Sequence, residues 1–235
     1  MDSFQRARTE EQRERRRQVV LDTAAAMLAE MPVAALSLNE LSRRVGLAKS
    51  NVLRYYESRE AILLELLAAE SRAWLEDLNR ETPRCTEGSF RERASRLVGA
   101  VITTAEARPV LCDLISAHAA VLERNVSTEG VLRHKRAMHR TVSEIGRVAS
   151  TVLPELTADD GFQFAGVVIL AITAAWPHST PTPALRAAYA ADPEVAAMRM
   201  SFADIVGGPL SLTLAGLLSE REARQVAENA VPPTS

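Results

Sequence analysis

Cysteine is almost missing from this chain: Cys85 and Cys112 are the only two among 235 residues. Two thiols build neither a disulfide framework nor a metal set, and such usage suits a reducing cytoplasm. Glycine is sparse as well, at 10 residues, and none belongs to a glycine-rich phosphate loop or a nucleophile elbow. The four histidines include no i, i+4 pair. His134 and His139, five apart, are poorly spaced to share an ion on one helix face. These absences argue against an enzyme, and neither a metal nor a cofactor is expected. Charge of one sign is also lacking, the net being −2, so any nucleic-acid surface must be local. No apolar run reaches bilayer length. The longest, Phe162 to Trp176, is fifteen residues with Gln163 inside, short of the roughly 20 a span requires. Met1 to Arg17 is too polar for a secretory signal. A cytoplasmic protein without a membrane partner is expected.

What remains is helical periodicity. The apolar fraction of 47% and charged fraction of 25% are ordinary for a globular protein, and this length can bury a substantial core. Val20, Ala24, Met27, Leu28 and Met31 recur at helical spacing and predict a first helix ending before Pro32. Ahead of it, residues 6–17 hold six arginines against three glutamates, a local charge of +3.

The stretch Leu36 to Tyr56 then fits two short helices around Gly46. Ser37 and Glu40 have the spacing of a capping box, and Leu36 with Leu41 that of a hydrophobic staple. Leu38, Leu41 and Val45 make an apolar stripe, and Gly46 suits a left-handed stop. The next helix is expected to bury Val52 and Tyr56 while turning Lys49, Ser50, Leu53 and Arg54 outward. That is a helix-turn-helix.

Ser58 caps an expected fourth helix to about Asn79, broken at Thr82-Pro83 and followed by a loop at Thr86 to Ser89. A fifth spans Ser89 to Ala107, and Pro109 opens a sixth that runs to about Asn125. Thr128 is expected to cap a seventh, stopped by Pro154. Asp159 or Asp160 opens an eighth, apolar nearly all round, that ends at Pro177. The proline-rich 177–193 segment holds a turn or two of helix, as a lid or merely a connection. Gly207-Gly208-Pro209 is expected to break the remainder into two helices, with the end near Pro232 and Pro233 frayed. With no repeat and no convincing strand, the fold class is all-α.

Ser37 to Leu63, S-L-N-E-L-S-R-R-V-G-L-A-K-S-N-V-L-R-Y-Y-E-S-R-E-A-I-L, resembles the amino-terminal domain of the TetR family of bacterial transcriptional regulators. The resemblance covers about residues 15–65. It departs at Pro32, where the family often has glycine, at Leu53 for an aromatic, at Arg59 for lysine, and at Ala48 for a serine cap. It implies a three-helix DNA-binding domain, taken as residues 1–60, and a larger helical ligand-binding and dimerisation domain, 61–235. It also implies repression, relieved when an unidentified small-molecule effector fills a pocket among the middle helices.

DNA requires cations for phosphates and a narrow element for the major groove. Lys49, Ser50 and Asn51 lie at the start of the reading helix, with Arg54 one turn on. Asn51 can pair with adenine, Arg54 with guanine, and Leu53 can pack on a thymine methyl. Tyr55 and Arg59 are assigned to phosphates, joined by Ser37 and Asn39. Charge divides as +2 over 1–60 (11 basic, 9 acidic) and −4 over 61–235 (17 basic, 21 acidic).

One such helix buries too little surface for tight specific binding, so a homodimer on double-stranded operator DNA is expected. Val168, Ile169, Ile172 and Trp176 of the eighth helix, with Leu214 and Leu217, are assigned to a four-helix interface between copies. His118, Asn125, His134 and His139 are polar positions on otherwise apolar helices that could face the effector. The alternative is a helical scaffold whose helix-turn-helix meets a protein instead of DNA.

Overall fold

The computed structural model describes the backbone of residues 2–82, 87–118 and 122–230, with side chains over 10–82, 87–118, 122–224 and 226. Cys85, the break at Pro83, the start of the Thr86 loop and the Pro232–Pro233 end lie outside the described residues, as do the side chains of Arg6 and Arg8. In chain order the helices are α1 (Asp2–Glu30), a 3-10 turn (Val33–Ala35), α2 (Leu38–Val45), α3 (Lys49–Val52), α4 (Arg59–Glu81), α5 (Phe90–Glu106), α6 (Pro109–Ala117), α7 (Thr128–Val152), α8 (Ala158–Ser179), α9 (Pro183–Ala191), α10 (Pro193–Ala196) and α11 (Phe202–Ala230). Among the described residues there is no strand. By packing, the chain forms two compact units: Met1–Ala73 with Arg108–His139, and Trp74–Ala107 with Arg140–Ser235. The division expected at residue 60 does not coincide with this one, because α6 and the first half of α7 belong to the amino-terminal unit.

In the amino-terminal unit the arginine-rich lead-in and the first apolar helix are one continuous helix, α1. Its buried Val20, Ala24 and Met27 share a core with Val33, Leu36, Leu41, Val52, Tyr56, Ile62 and Leu63. Each such large side chain removed from water contributes about 1.5–3 kcal/mol. The backbone N–H of Val33 donates to Asp113 of α6 at 2.6 Å, so a carboxylate satisfies the 3-10 turn. Ser58 caps α4 as expected, accepting from the Ala61 amide at 3.1 Å. For α7 the cap is Ser127, one residue before the position expected, accepting from the Gly130 amide at 3.1 Å.

In the second unit α11 packs chiefly on α8 and α5. Helices α7 and α8 approach so closely that a Cβ on Gly146 would lie 2.9 Å from the Gly161 carbonyl atoms. Trp74, fully buried, donates its indole N–H to Thr104 at 2.9 Å. Two expected breaks do not occur. Pro177 sits inside α8, which continues to Ser179, and Gly207-Gly208-Pro209 lies within an uninterrupted α11. A proline deletes one ladder bond, a loss that packing along a long helix offsets. Gly207 also permits close contact, since a Cβ there would meet Ile102 at 3.2 Å.

The start of α8 differs too. Thr157, rather than Asp159 or Asp160, caps it, and Asp160 completes the capping box by accepting from the Thr157 amide at 2.9 Å. The fifteen-residue apolar run lies within a helix of 22 residues, and α8 and part of α11 are long and apolar enough by composition to cross a membrane. Their buried faces are instead shared with each other. Helix α9, in the proline-rich segment, buries no residue.

Candidate functional site

The reading head is built from short pieces held by local bonds. Ser37 caps α2, its hydroxyl accepting from the Glu40 amide at 3.2 Å, and the staple residues Leu36 and Leu41 are both fully buried. The reciprocal half of the expected capping box is absent. Glu40 spends its carboxylate on Arg43 (2.6 and 2.9 Å) and Arg44 (3.1 Å), because residues three and four apart are neighbours on a helix surface. Those bonds to Arg43 and Arg44 lower the Glu40 carboxyl from 4.5 to about 2.

Gly46 stops α2 at φ 73°, a left-handed conformation glycine adopts without a Cβ clash. The Gly46 amide donates to Arg43 at 3.2 Å and the Leu47 amide to Ser42 at 3.1 Å, a Schellman closure. Helix α3 then starts at Ala48 without a side-chain cap and is only four residues long.

Val52 and Tyr56 are buried beneath α3 while Lys49, Ser50, Asn51, Leu53 and Arg54 are exposed on its other side. Arg17 of α1 fixes this orientation. Its guanidinium donates to the Tyr55 carbonyl at 2.7 Å and to Glu65 at 2.5 Å, and lies 4.3 Å from the Tyr56 ring centroid. Burial, then the Glu65 charge, pushes the Tyr56 hydroxyl above its ordinary value. In the sequence Arg17 is one of six arginines in the charged lead-in of residues 6–17. Its positioning role depends on residues 38 and 48 positions away, a relation no local pattern carries.

Two of the three comparisons with known proteins find matches. A family model described as "Bacterial regulatory proteins, tetR family" matches residues 20–66. One described as "Tetracyclin repressor-like, C-terminal domain" matches residues 68–221, well over half the chain. The chain belongs to the TetR family of transcriptional regulators. Among solved structures, this TetR-family chain is similar to the fatty acid degradation regulator FadR from Bacillus halodurans, at 14% identity and a TM-score of 0.52 over 85% of this chain and 98% of that one. FadR from Bacillus subtilis, in complex with stearoyl-CoA, gives the same identity, score and coverage. A tetR-family regulator from Streptomyces coelicolor reaches 0.51 at 13% identity over 93% and 99%. At such identities the likeness is one of fold. No curated protein matches this chain in sequence.

In this TetR-family head, Lys49 and Arg54 make no ion pair among the described residues, and Ser37 and Asn39 are exposed at the front of α2. Tyr55 is half-buried. Arg59 is committed elsewhere: its Nη1 donates to the Leu36 carbonyl at 2.9 Å and its Nε to Glu60 at 3.0 Å. These bonds tie α4 to the entry of α2.

The six apolar residues assigned to a partner copy are also redistributed. Val168, Ile172, Leu214 and Leu217 are buried within the second unit, and Ile169 and Trp176 are half-buried, the Trp176 ring meeting Phe202 edge-on at 6.4 Å. Periodicity identifies an apolar face but not the neighbour that covers it. Outward on the same two helices are Leu170 (69% exposed) and Leu212 (76%).

Of the four polar residues assigned to an effector, Asn125 and His139 are exposed, whereas His118 and His134 are buried in the amino-terminal unit. Their ring centroids are 5.9 Å apart, and Glu123, unremarked in the sequence, joins them with its Oε1 3.4 Å from His134 Nε2. The ligand-capable atoms of all three lie within 4.8 Å of one another. The poor spacing expected of His134 and His139 along one helix does not bear on this cluster, because the histidine that meets His134 is His118. Burial, then the nearby His118, lowers the His134 imidazole from 6.5 to about 4. Glu123 is lowered in spite of its burial, by its bond to Lys135 at 2.6 Å and by neighbouring positive charge.

Proposed function

We propose that this chain is a ligand-responsive repressor that binds a palindromic operator as a homodimer and is released by a small effector in the cytoplasm. Residues 1–60 are its DNA-binding domain and 61–235 its effector and dimerisation domain. The observation that carries the reading is the α3 surface: Lys49, Ser50, Asn51, Leu53 and Arg54 all face solvent around anchors that do not. Asn51 and Arg54 read base edges, Leu53 a thymine methyl, and Lys49, Ser37, Asn39 and Tyr55 hold the backbone. Two copies meet through the outward faces of α8 and α11, at Leu170 and Leu212. There a Cβ on Gly166, Gly208 or Gly216 would touch nothing within 4 Å, leaving room for a close helix approach. The effector binds on the side of His118 and His134, and a ligand preferring one spacing of the two heads shifts the population away from the DNA-competent form.

Selection of bound DNA from random sequence tests the reading, and a palindromic site is the expected result. On that site Arg54→Ala relaxes preference at one base pair by about 1–3 kcal/mol, while Lys49→Ala weakens all sequences alike and reduces the salt slope. Recovery of no DNA at any salt concentration would favour the scaffold alternative.

A further inference from the structure

We propose that His118, Glu123 and His134 form a binding site for a divalent first-row transition ion, with zinc as the reference ion. The donors are two imidazoles and one carboxylate, a set used for zinc with a fourth position left to water or a further ligand. Bonds of about 2.0–2.2 Å in a tetrahedron place donor atoms roughly 3.3 Å apart. The Glu123–His134 separation of 3.4 Å already meets that spacing. The His118 Nδ1 is hydrogen-bonded to the Ile115 carbonyl. This leaves Nε2 as the ring nitrogen with a lone pair, the arrangement by which outer partners orient metal-bound histidines.

A second observation points to the ion independently. His134 is only 5% exposed, yet its Nε2 has no hydrogen-bond partner. Leaving a buried polar atom unpaired is unfavourable, and here it faces a carboxylate. A cation between them satisfies both. Imidazole donors favour zinc, copper, nickel or iron over magnesium and calcium. The Lys135 ammonium that now bonds Glu123 is half-exposed, and an exposed ion pair of that kind contributes little. An ion can displace it.

Between Glu123 and His134 in the chain lies Ser127, which touches the reading head. The Ser127 amide donates to Glu57 at 3.2 Å, one residue beyond the buried Tyr56. An ion drawing His118, Glu123 and His134 together therefore acts on the segment that supports the exit of α3. This regulatory consequence rests on the proposed function; the ion site itself does not.

The experiment uses tag-free, EDTA-treated full-length protein, titrated with zinc by calorimetry and with cobalt by visible absorption. One ion per chain is expected, with cobalt d–d bands of a nitrogen–oxygen site. His118→Ala, His134→Ala and Glu123→Gln each weaken zinc by more than the roughly 10–100-fold that loss of an outer partner costs. His178→Ala and Cys112→Ser do not. Glu123→Gln alters a partly exposed side chain, and circular dichroism checks the fold of each variant. No zinc uptake by the wild type, or undiminished affinity in the folded variants, overturns the site. Operator affinity is then measured with and without zinc. If zinc binds but operator affinity is unchanged, the effector role is overturned while the site stands. If zinc binds and no DNA is bound in any state, the regulator reading fails alone.

Discussion

Helices α2 and α3 are 8 and 4 residues long, whereas α8 and α11 are 22 and 29. Helices as short as the first pair are not stable alone in water, because nucleation fixes several residues for each hydrogen bond gained. They are held by devices acting at single points: the Ser37 cap, the left-handed Gly46, two buried anchors under α3, and Arg17 bonded to the Tyr55 carbonyl and Glu65. The long helices are held by area instead, with Phe164, Val168, Ile172, Leu210 and Leu214 buried along their lengths. A few fixed points leave the remaining side chains free to meet DNA. A broad apolar face tolerates Pro177 and Pro209 mid-helix.

Substitutions can sharpen this contrast. The largest expected effect lies in the second unit, where Phe164 is fully buried. Phe164→Ala should cost about 3–5 kcal/mol in denaturant unfolding, and a loss below 1 kcal/mol would show that area does not hold α8. Next comes Gly146→Ala, whose new methyl meets backbone of Gly161 that cannot rotate away. About 1–3 kcal/mol of overpacking is expected, read as a lower midpoint at unchanged slope.

In the head, Ser37→Ala removes one cap and should cost about 1 kcal/mol. A larger loss in operator affinity than in stability would separate its DNA role from its capping role. The smallest effect concerns Glu40. Its carboxyl ionises near 2 in the folded protein against 4.5 ordinarily, so its stabilisation is full above pH 4.5 and is lost as pH falls toward 2. Glu40→Gln should flatten that part of the stability–pH curve slightly, because the pair is exposed to solvent.

Much of the head was legible from residues alone. The glycine stop, the staple and the inward Val52 and Tyr56 follow from spacing, since a helix repeats every 3.6 residues and its neighbours are local. Glu40 shows where locality misleads: its spacing to Ser37 announced a capping box, but two arginines lay equally near. Arg17, Arg59 and Glu123 have partners or cluster-mates far away in sequence or across a turn, so no periodicity could assign them. The outer face of α8 was hidden for a related reason. An all-round apolar helix gives no sign of which stripe its own chain will cover.

By itself the sequence determined an all-helical chain, the position of the helix-turn-helix and the side chains it turns outward, because these depend on contacts within a few residues. Only tertiary structure decided which arginines are bonded into the fold and which face solvent, which stripe of α8 remains exposed, and that His118, Glu123 and His134 converge. Those outcomes depend on which distant segments pack together. The helix-turn-helix at Leu36–Tyr56 therefore owes its local shape to its own residues and its fixed orientation to Arg17 and Glu65.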